Sequence, residues 1–100
     1  MTHYVALLED AGPTKAMGIW FPDFPGCFSG GDTLDEAIAN APEAVDLWLE
    51  ETLNQGRPAP RARAPSEIRA DPEIASEIKA HGFALMVVPA PFMESLPAAE

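Results

Sequence analysis

Carboxylates are the residues of this sequence that come nearest to a catalytic pattern. The candidates on predicted strands, turns and the first helix are Glu9, Asp10, Asp23, Asp32 and Glu36. Clustered carboxylates of this kind can hold divalent metal ions for hydrolysis. Each of the five, however, falls in a predicted turn or at a predicted helix start, and none falls in the middle of a strand, where a rigid metal site would be built. We therefore expect no catalytic and no metal site, and a protein that is not an enzyme.

Cys27, His3 and His81 could in principle form a nucleophile–base pair or a zinc site. Zinc usually takes three or four ligands at characteristic spacings, and those spacings are missing. Cys27 is the single cysteine, so an internal disulfide is excluded, which agrees with a reducing compartment. We interpret it as a small packed hydrophobe. Residues 30–33 precede a helix but lack the glycine-rich patterns of phosphate sites, so no cofactor is predicted.

The charge is strongly acidic, with a formal net charge of −10. Residues 1–50 carry nine acids against one lysine, whereas the one basic stretch contains Arg57, Arg61, Arg63 and Arg69. An acidic body repels nucleic acid and favours a basic partner, although the charge could equally serve solubility alone. The arginines have no aromatic residues between them, so we favour pairing with the acidic helix of the same chain or of a neighbour over a nucleic-acid arm.

Four short segments have strand patterns. Residues 3–9 and 16–21 flank a turn and should form a hairpin, and 27–30 should form a third strand. Residues 83–88 are an unbroken apolar run, which predicts a strand buried on both faces and central in its sheet.

Two segments have helical patterns. Thr33 and Glu36 form a capping box, and an apolar stripe continues to residue 53 before Gly56 ends the helix. Pro42 lies inside this stripe and should kink or split the helix. Asp71 and Pro72 begin a second helix, after a Pro/Arg-rich linker over residues 57–70.

Together these elements predict an α+β fold with a two-layer, antiparallel-dominated four-strand sheet in the order β-β-β-α-(α)-β. We expect one domain over residues 1–89 and a loose C-terminal tail over 90–100. No apolar run is long enough to cross a bilayer, and residues 1–4 do not begin a signal peptide, so the predicted location is cytoplasmic.

A two-part motif adds a family resemblance. Its first part is Pro22-Asp23-Phe24-Pro25-Gly26-Cys27, and its second is Gly31-Asp32-Thr33-Leu34-Asp35-Glu36-Ala37, with Glu43-Ala44 further along. This pattern resembles the signature of the HicB-like antitoxins, and the resemblance extends over residues 3–89. Its motif residues are Pro22, Pro25, Gly26, Cys27, Asp32, Thr33 and Glu36.

The resemblance implies a partial ribonuclease-H-like fold and an antitoxin that covers a small basic mRNA-cleaving toxin of the HicA type. It also implies a homo-oligomer, either dimer or tetramer. Many family members bind their promoter through a C-terminal segment, but the eleven residues after Pro89 contain no lysine or arginine, so we expect no DNA binding from this chain. The alternative is a stand-alone regulatory or oligomeric module without a toxin.

The predicted partner interface consists of Trp20, Asp23, Phe24 and Phe28. Trp20 alternates with Ile19 and Phe21 along its strand, so a helix that covers the latter two would leave Trp20 facing outward. Exposed aromatic residues often mark contact surfaces.

Overall fold

The computed structural model describes residues 2–10, 12–13 and 15–94, and its centre is a four-stranded sheet. The strands are β1 (His3–Asp10), β2 (Met17–Trp20), β3 (Phe28–Gly31) and β4 (Ala84–Pro89). Their spatial order is β3-β2-β1-β4, and every neighbouring pair is antiparallel. The predicted α+β class with an antiparallel four-strand sheet is confirmed.

Four helices accompany the sheet: α1 (Leu34–Asn54), α2 (Pro65–Ala70), α3 (Pro72–His81) and α4 (Pro91–Glu94). Tyr4 and Ala6 of β1 face α1, whereas the alternating residues Val5 and Leu7 pack with Ile68 of α2 and Ile74 of α3. Both faces of the sheet are therefore covered, which adds a third layer to the two that the sequence predicted. Among the described residues, no helix is long and apolar enough to cross a membrane.

The start of α1 is fixed by side chains, as predicted. The hydroxyl of Thr33 accepts a hydrogen bond from the Glu36 amide at 3.1 Å. The Glu36 carboxylate accepts from the amide of Asp32 at 3.0 Å, one residue before the cap. Pro42 lies inside α1, yet the helix continues past it as a single element, so of the predicted kink or split at this proline the split is wrong.

The position of β4 differs from the prediction. The sequence predicted a central strand, but β4 lies at an edge, and Ala84 and Val87 are exposed. The central place belongs to β1, in which the four consecutive residues from Tyr4 to Leu7 are buried. An unbroken apolar run does not distinguish the two situations, because the neighbours that cover a strand come from distant parts of the chain.

The linker and the tail are more ordered than predicted. Residues 65–70 of the linker form α2, whose Ile68 is fully buried, and the carbonyl of Pro60 accepts a hydrogen bond from the Tyr4 hydroxyl at 2.7 Å. In the tail, α4 packs against α1 and the amide of Phe92 donates to Asp46 at 3.1 Å. The rest of the predicted tail, residues 95–100, lies outside the described residues.

Candidate protein-binding surface

The turn between β2 and β3 carries the first part of the sequence motif. Main-chain bonds from Phe24 to the Phe21 carbonyl (3.1 Å) and from Cys27 to the Phe24 carbonyl (3.0 Å) close it. Gly26 has φ of 81°, a conformation that residues with a Cβ rarely adopt. The turn therefore needs the glycine of the motif for its backbone.

Phe24 anchors this turn in the core. Its side chain is 0% exposed, and its ring centroid lies 4.3 Å from that of Tyr4 and 4.5 Å from that of Trp48, against which it stacks. The indole N–H of Trp48 also donates to the Pro25 carbonyl at 3.2 Å. In this conformation Phe24 has no surface to offer a partner, so it positions the neighbouring residues instead.

Asp23 is the centre of an ion cluster that joins distant segments. Its side chain is 5% exposed and accepts from the Arg63 side chain at 2.6 Å and from the Arg63 amide at 3.1 Å. The same guanidinium bonds Asp71 at 3.1 Å, and Asp71 in turn caps α3 through the Glu73 amide. The bond from Arg63 holds the pKa of Asp71 below its usual value. Asp23 therefore holds the turn against the chain that leads into α2 and α3.

A second arginine makes a more exposed pair. Arg61 forms two bonds with Glu67, at 3.1 and 2.7 Å, and these lower the pKa of Glu67 to about 2. Arg61 and Arg63 thus pair with acids of the same chain, but these acids lie in the turn, in α2 and beside α3, and not on the acidic helix that the sequence suggested.

Trp20 forms one wall of a cavity of about 600 Å³. It is half-buried and meets the ring of Phe83 edge to face at 5.9 Å. Arg63, Asp71, Glu73 and Glu77 contribute to the other walls. The expectation that Trp20 stands on an open face is wrong, because α2 and α3 cover part of that face.

Phe28 is the most exposed large apolar residue of the described chain, at 72%. It pairs with Trp20 across the β2–β3 ladder, and it also lines a shallow groove between β3 and α1. Leu47, 60% exposed, lies in the same groove beside Trp48 and Glu51. We refer to the area formed by Trp20, Phe28 and Leu47 as the β3-edge surface.

Sequence reasoning missed Leu47. The signal that could have found it is its place on α1, since it is a large apolar side chain that falls outside the buried stripe of that helix. Phe28 was among the predicted interface residues, and the interface predicted for Trp20, Asp23 and Phe28 stays a prediction.

The remaining motif residues support the backbone beside this surface. Cys27 is buried, its thiol points to the Ala44 carbonyl at 3.7 Å, and burial raises its pKa to about 11. Gly31 is closely approached, because a Cβ there would lie 2.6 Å from the Cβ of Glu36. Within the part of the chain that the structure describes, no three His, Cys, Asp or Glu side chains cluster as metal ligands.

Comparisons with known proteins agree with this geometry. The sequence matches the model of the HicB-like antitoxin of bacterial toxin–antitoxin systems over residues 4–88. A solved HicA3 and HicB3 toxin–antitoxin complex contains a chain 28% identical, with a TM-score of 0.71 over 89% of this chain and 98% of that one. The antitoxin HicB of Burkholderia pseudomallei is 25% identical, with a TM-score of 0.73 over 100% of this chain and 73% of that one.

A curated relative from Haemophilus phage HP1, a 14.9 kDa protein, is 42% identical over 52 residues. The match covers 52% of this chain and 39% of the phage protein, so the chain spans less than half the length of that relative. The family match, in contrast, extends over most of the chain. The chain belongs to the HicB-like antitoxin family of bacterial toxin–antitoxin systems.

Proposed function

We propose that this protein is an antitoxin that binds a small basic mRNA-cleaving toxin of the HicA type and neutralises it by contact, without catalysis. The observation that carries the proposal is the family match over residues 4–88, together with the likeness to a chain of a HicA3–HicB3 complex. Since such a toxin acts on mRNA, the antitoxin would work in the cytoplasm.

The distribution of charge supports a basic partner. Five acids on α1 are exposed: Asp35, Glu36, Glu43, Glu50 and Glu51. The formal net charge of the chain is −10. Complementary charge of this kind accelerates the encounter of two proteins and contributes to the choice of partner.

The β3-edge surface is the best-suited contact area. Phe28 and Leu47 supply exposed apolar side chains, which usually provide the energetic centre of an interface. Glu51 lies in the groove with Phe28 and Leu47, and Glu73 and Glu77 lie in the cavity beside Trp20. An apolar centre with an acidic rim fits a basic partner.

The cavity beside Trp20 adds a specific possibility for recognition. An arginine or lysine of the toxin that enters it would meet the Trp20 ring and the carboxylates of Glu73 and Glu77. Cations bind well over the face of a tryptophan, and a carboxylate strengthens the contact. The side chain of Arg63 does not compete for these groups, since Asp23 and Asp71 already bind it.

Co-expression with the small basic protein encoded beside this one tests the function. We expect the pair to co-purify and growth arrest to be relieved. A neighbouring toxin that neither binds nor loses its toxicity would contradict the antitoxin proposal and favour a stand-alone oligomeric module.

Two alanine variants then test the surface. Phe28→Ala and Leu47→Ala should each weaken toxin binding by about tenfold or more, which corresponds to at least about 1.4 kcal/mol. Leu34→Ala is the matched control, because Leu34 is also an exposed apolar residue of this chain but lies at the start of α1. Unchanged affinity in both test variants, measured by calorimetry, would show that the toxin binds elsewhere.

A further inference from the structure

A continuous set of hydrogen bonds joins the motif turn before β3 to the first turn of α3. The carboxylate of Asp23 accepts from Nε of Arg63 at 2.6 Å and from the Arg63 amide at 3.1 Å. Nη1 of the same guanidinium donates to Asp71 at 3.1 Å, and Asp71 accepts from the Glu73 amide at 3.0 Å. Asp23 and Arg63 are 40 residues apart in the sequence, so these bonds hold together segments that no local signal connects.

The two ends of this set of bonds lie in opposite walls of the cavity beside Trp20. Trp20 and Pro22 come from β2 and the turn, whereas Glu73 and Glu77 come from α3. Arg63 lines the same cavity and bridges its two sides. The place of the carboxylates opposite the tryptophan ring therefore depends on how this guanidinium is held.

Apolar packing alone does not fix that place. Ile74 of α3 packs with Val5 and Leu7 of β1, which holds the helix on the sheet. Such burial is non-directional, so it stabilises the contact without setting the orientation of the first turn of the helix. The bond from Arg63 to the capping residue Asp71 is directional and acts at the turn that carries Glu73.

The pairing of Arg63 also keeps the cavity acidic. Because Asp23 and Asp71 bind the guanidinium from two sides, it does not neutralise Glu73 or Glu77. Glu77 contacts His81 at 3.3 Å, so Glu73 is the carboxylate that this set of bonds affects most directly. An arginine released from Asp71 would be free to pair with Glu73 in place of a cation from outside.

We propose that Arg63 is a positioning residue for toxin binding, which joins Asp23 of the sequence motif to Asp71 and so holds Glu73 in place opposite Trp20. This inference rests on the proposed function and deepens it, since it names residues that affect recognition without touching the toxin. It also gives Asp23 a role that needs no contact with a partner, because its side chain is only 5% exposed.

The geometry suits arginine and not lysine. Nε and Nη1 lie on different edges of one planar group, so a single side chain binds two acids in two directions. Lysine has the same charge but concentrates it in one ammonium group and does not reproduce this fork.

Asp71→Asn cuts the link and leaves the helix cap in place. One oxygen of Asp71 accepts from the Glu73 amide and the other from Arg63. Asparagine caps helices as well as aspartate does, but its amide nitrogen replaces the second oxygen and cannot accept from the guanidinium. We expect the toxin complex to dissociate about tenfold faster, as measured by surface plasmon resonance.

Glu67→Gln is the matched control. It removes one negative charge, as Asp71→Asn does, but it weakens the exposed pair with Arg61 instead. The two variants therefore share any loss of long-range attraction to a basic toxin, which acts mainly on the association rate. We expect the Glu67→Gln complex to dissociate at the wild-type rate.

An Arg63→Lys background separates positioning from direct contact with the toxin. The lysine still supplies a positive charge to the buried Asp23, but the link to Asp71 is already cut. Asp71→Asn should then have little further effect on the dissociation rate. An undiminished effect in this background would mean that the toxin touches Asp71 itself, and it would overturn the positioning role. Circular dichroism of each variant establishes that it is folded.

The outcomes also distinguish this inference from the proposed function. A wild-type chain that does not bind the neighbouring basic protein would overturn the proposed function and this inference with it. If the wild type binds and the Asp71→Asn complex dissociates as slowly as the Glu67→Gln complex, the antitoxin function stands and the positioning role of Arg63 is wrong.

Discussion

The two edges of the sheet expose different groups. At the β3 edge one outward carbonyl is satisfied within the chain, since the Asn40 side chain donates to the Gly30 carbonyl at 2.9 Å, and α1 lies close against Gly31. What remains exposed there is side chain, chiefly Phe28. At the β4 edge, no strand of the described chain pairs with the outer side of β4. The two edges of one small domain therefore differ in chemistry, with an exposed aromatic side chain at one and an unpaired strand at the other.

The largest expected effect on stability concerns the ion cluster that holds the turn before β3. Arg63→Ala leaves the buried carboxylate of Asp23 without its guanidinium, and we expect the free energy of unfolding to fall by about 2–3 kcal/mol. Arg61→Ala is the matched control, because Arg61 and Glu67 are both exposed and their pair should contribute little. Urea unfolding of the two variants measures the difference. An equal loss of unfolding free energy in both variants would show that the buried pair of Arg63 and Asp23 contributes no more than the exposed pair of Arg61 and Glu67.

A second pair of variants tests how closely neighbouring atoms approach a glycine in β3 and a glycine in β2. A Cβ at Gly30 would lie 2.4 Å from the Met17 carbonyl oxygen, which is main chain and cannot move aside cheaply. We expect Gly30→Ala to cost about 1–3 kcal/mol of stability.

Gly18→Ala supplies the control for this comparison. A Cβ at Gly18 would meet the Glu9 side chain at 3.7 Å, an ordinary contact, so the stability should stay the same or rise slightly. Thermal unfolding of both variants measures the difference. A Gly30→Ala variant as stable as the wild type would mean that β3 lies less close to the Met17 main chain than the structure shows.

The smallest effect is a pH dependence at Cys27, which leads into β3. Burial raises the thiol pKa from 9.0 to about 11, so the unfolded chain ionises this group before the folded chain does. The contribution of the Cys27 thiol to the free energy of unfolding is fully present below pH 9, and it is lost as the pH rises towards 11. Urea midpoints at pH 8 and pH 10 should differ more for the wild type than for Cys27→Ala. The same decrease in both proteins would assign the pH dependence to other groups.

Local signals in the sequence predicted the local structure well. The hydrogen bond from the Glu36 amide to Thr33, the start of α3 at Asp71 and Pro72, and the left-handed Gly82 at its end all follow from neighbouring residues. The resemblance to the HicB-like family was carried by equally local motifs, and the family match confirms it.

What the sequence did not reveal is the burial that distant parts of the chain provide. Asp23 is buried by Arg63, 40 residues away, and Trp20 is partly covered by helices from the second half of the chain. Phe24 is buried among Tyr4 and Trp48, which a pattern of prolines around it does not reveal. The edge position of β4 belongs to the same class, because strand order is a property of the whole sheet.

The strand order also has a consequence for folding. β1 forms its ladders with β2, close by in sequence, and with β4, which begins at Ala84. During synthesis the hairpin of β1 and β2 can form early. The other edge of β1 has no partner until β4 is made, which comes near the end of the described chain. Such distant pairing slows folding and leaves intermediates prone to aggregation. The last strand of the sheet therefore completes the protection of the first.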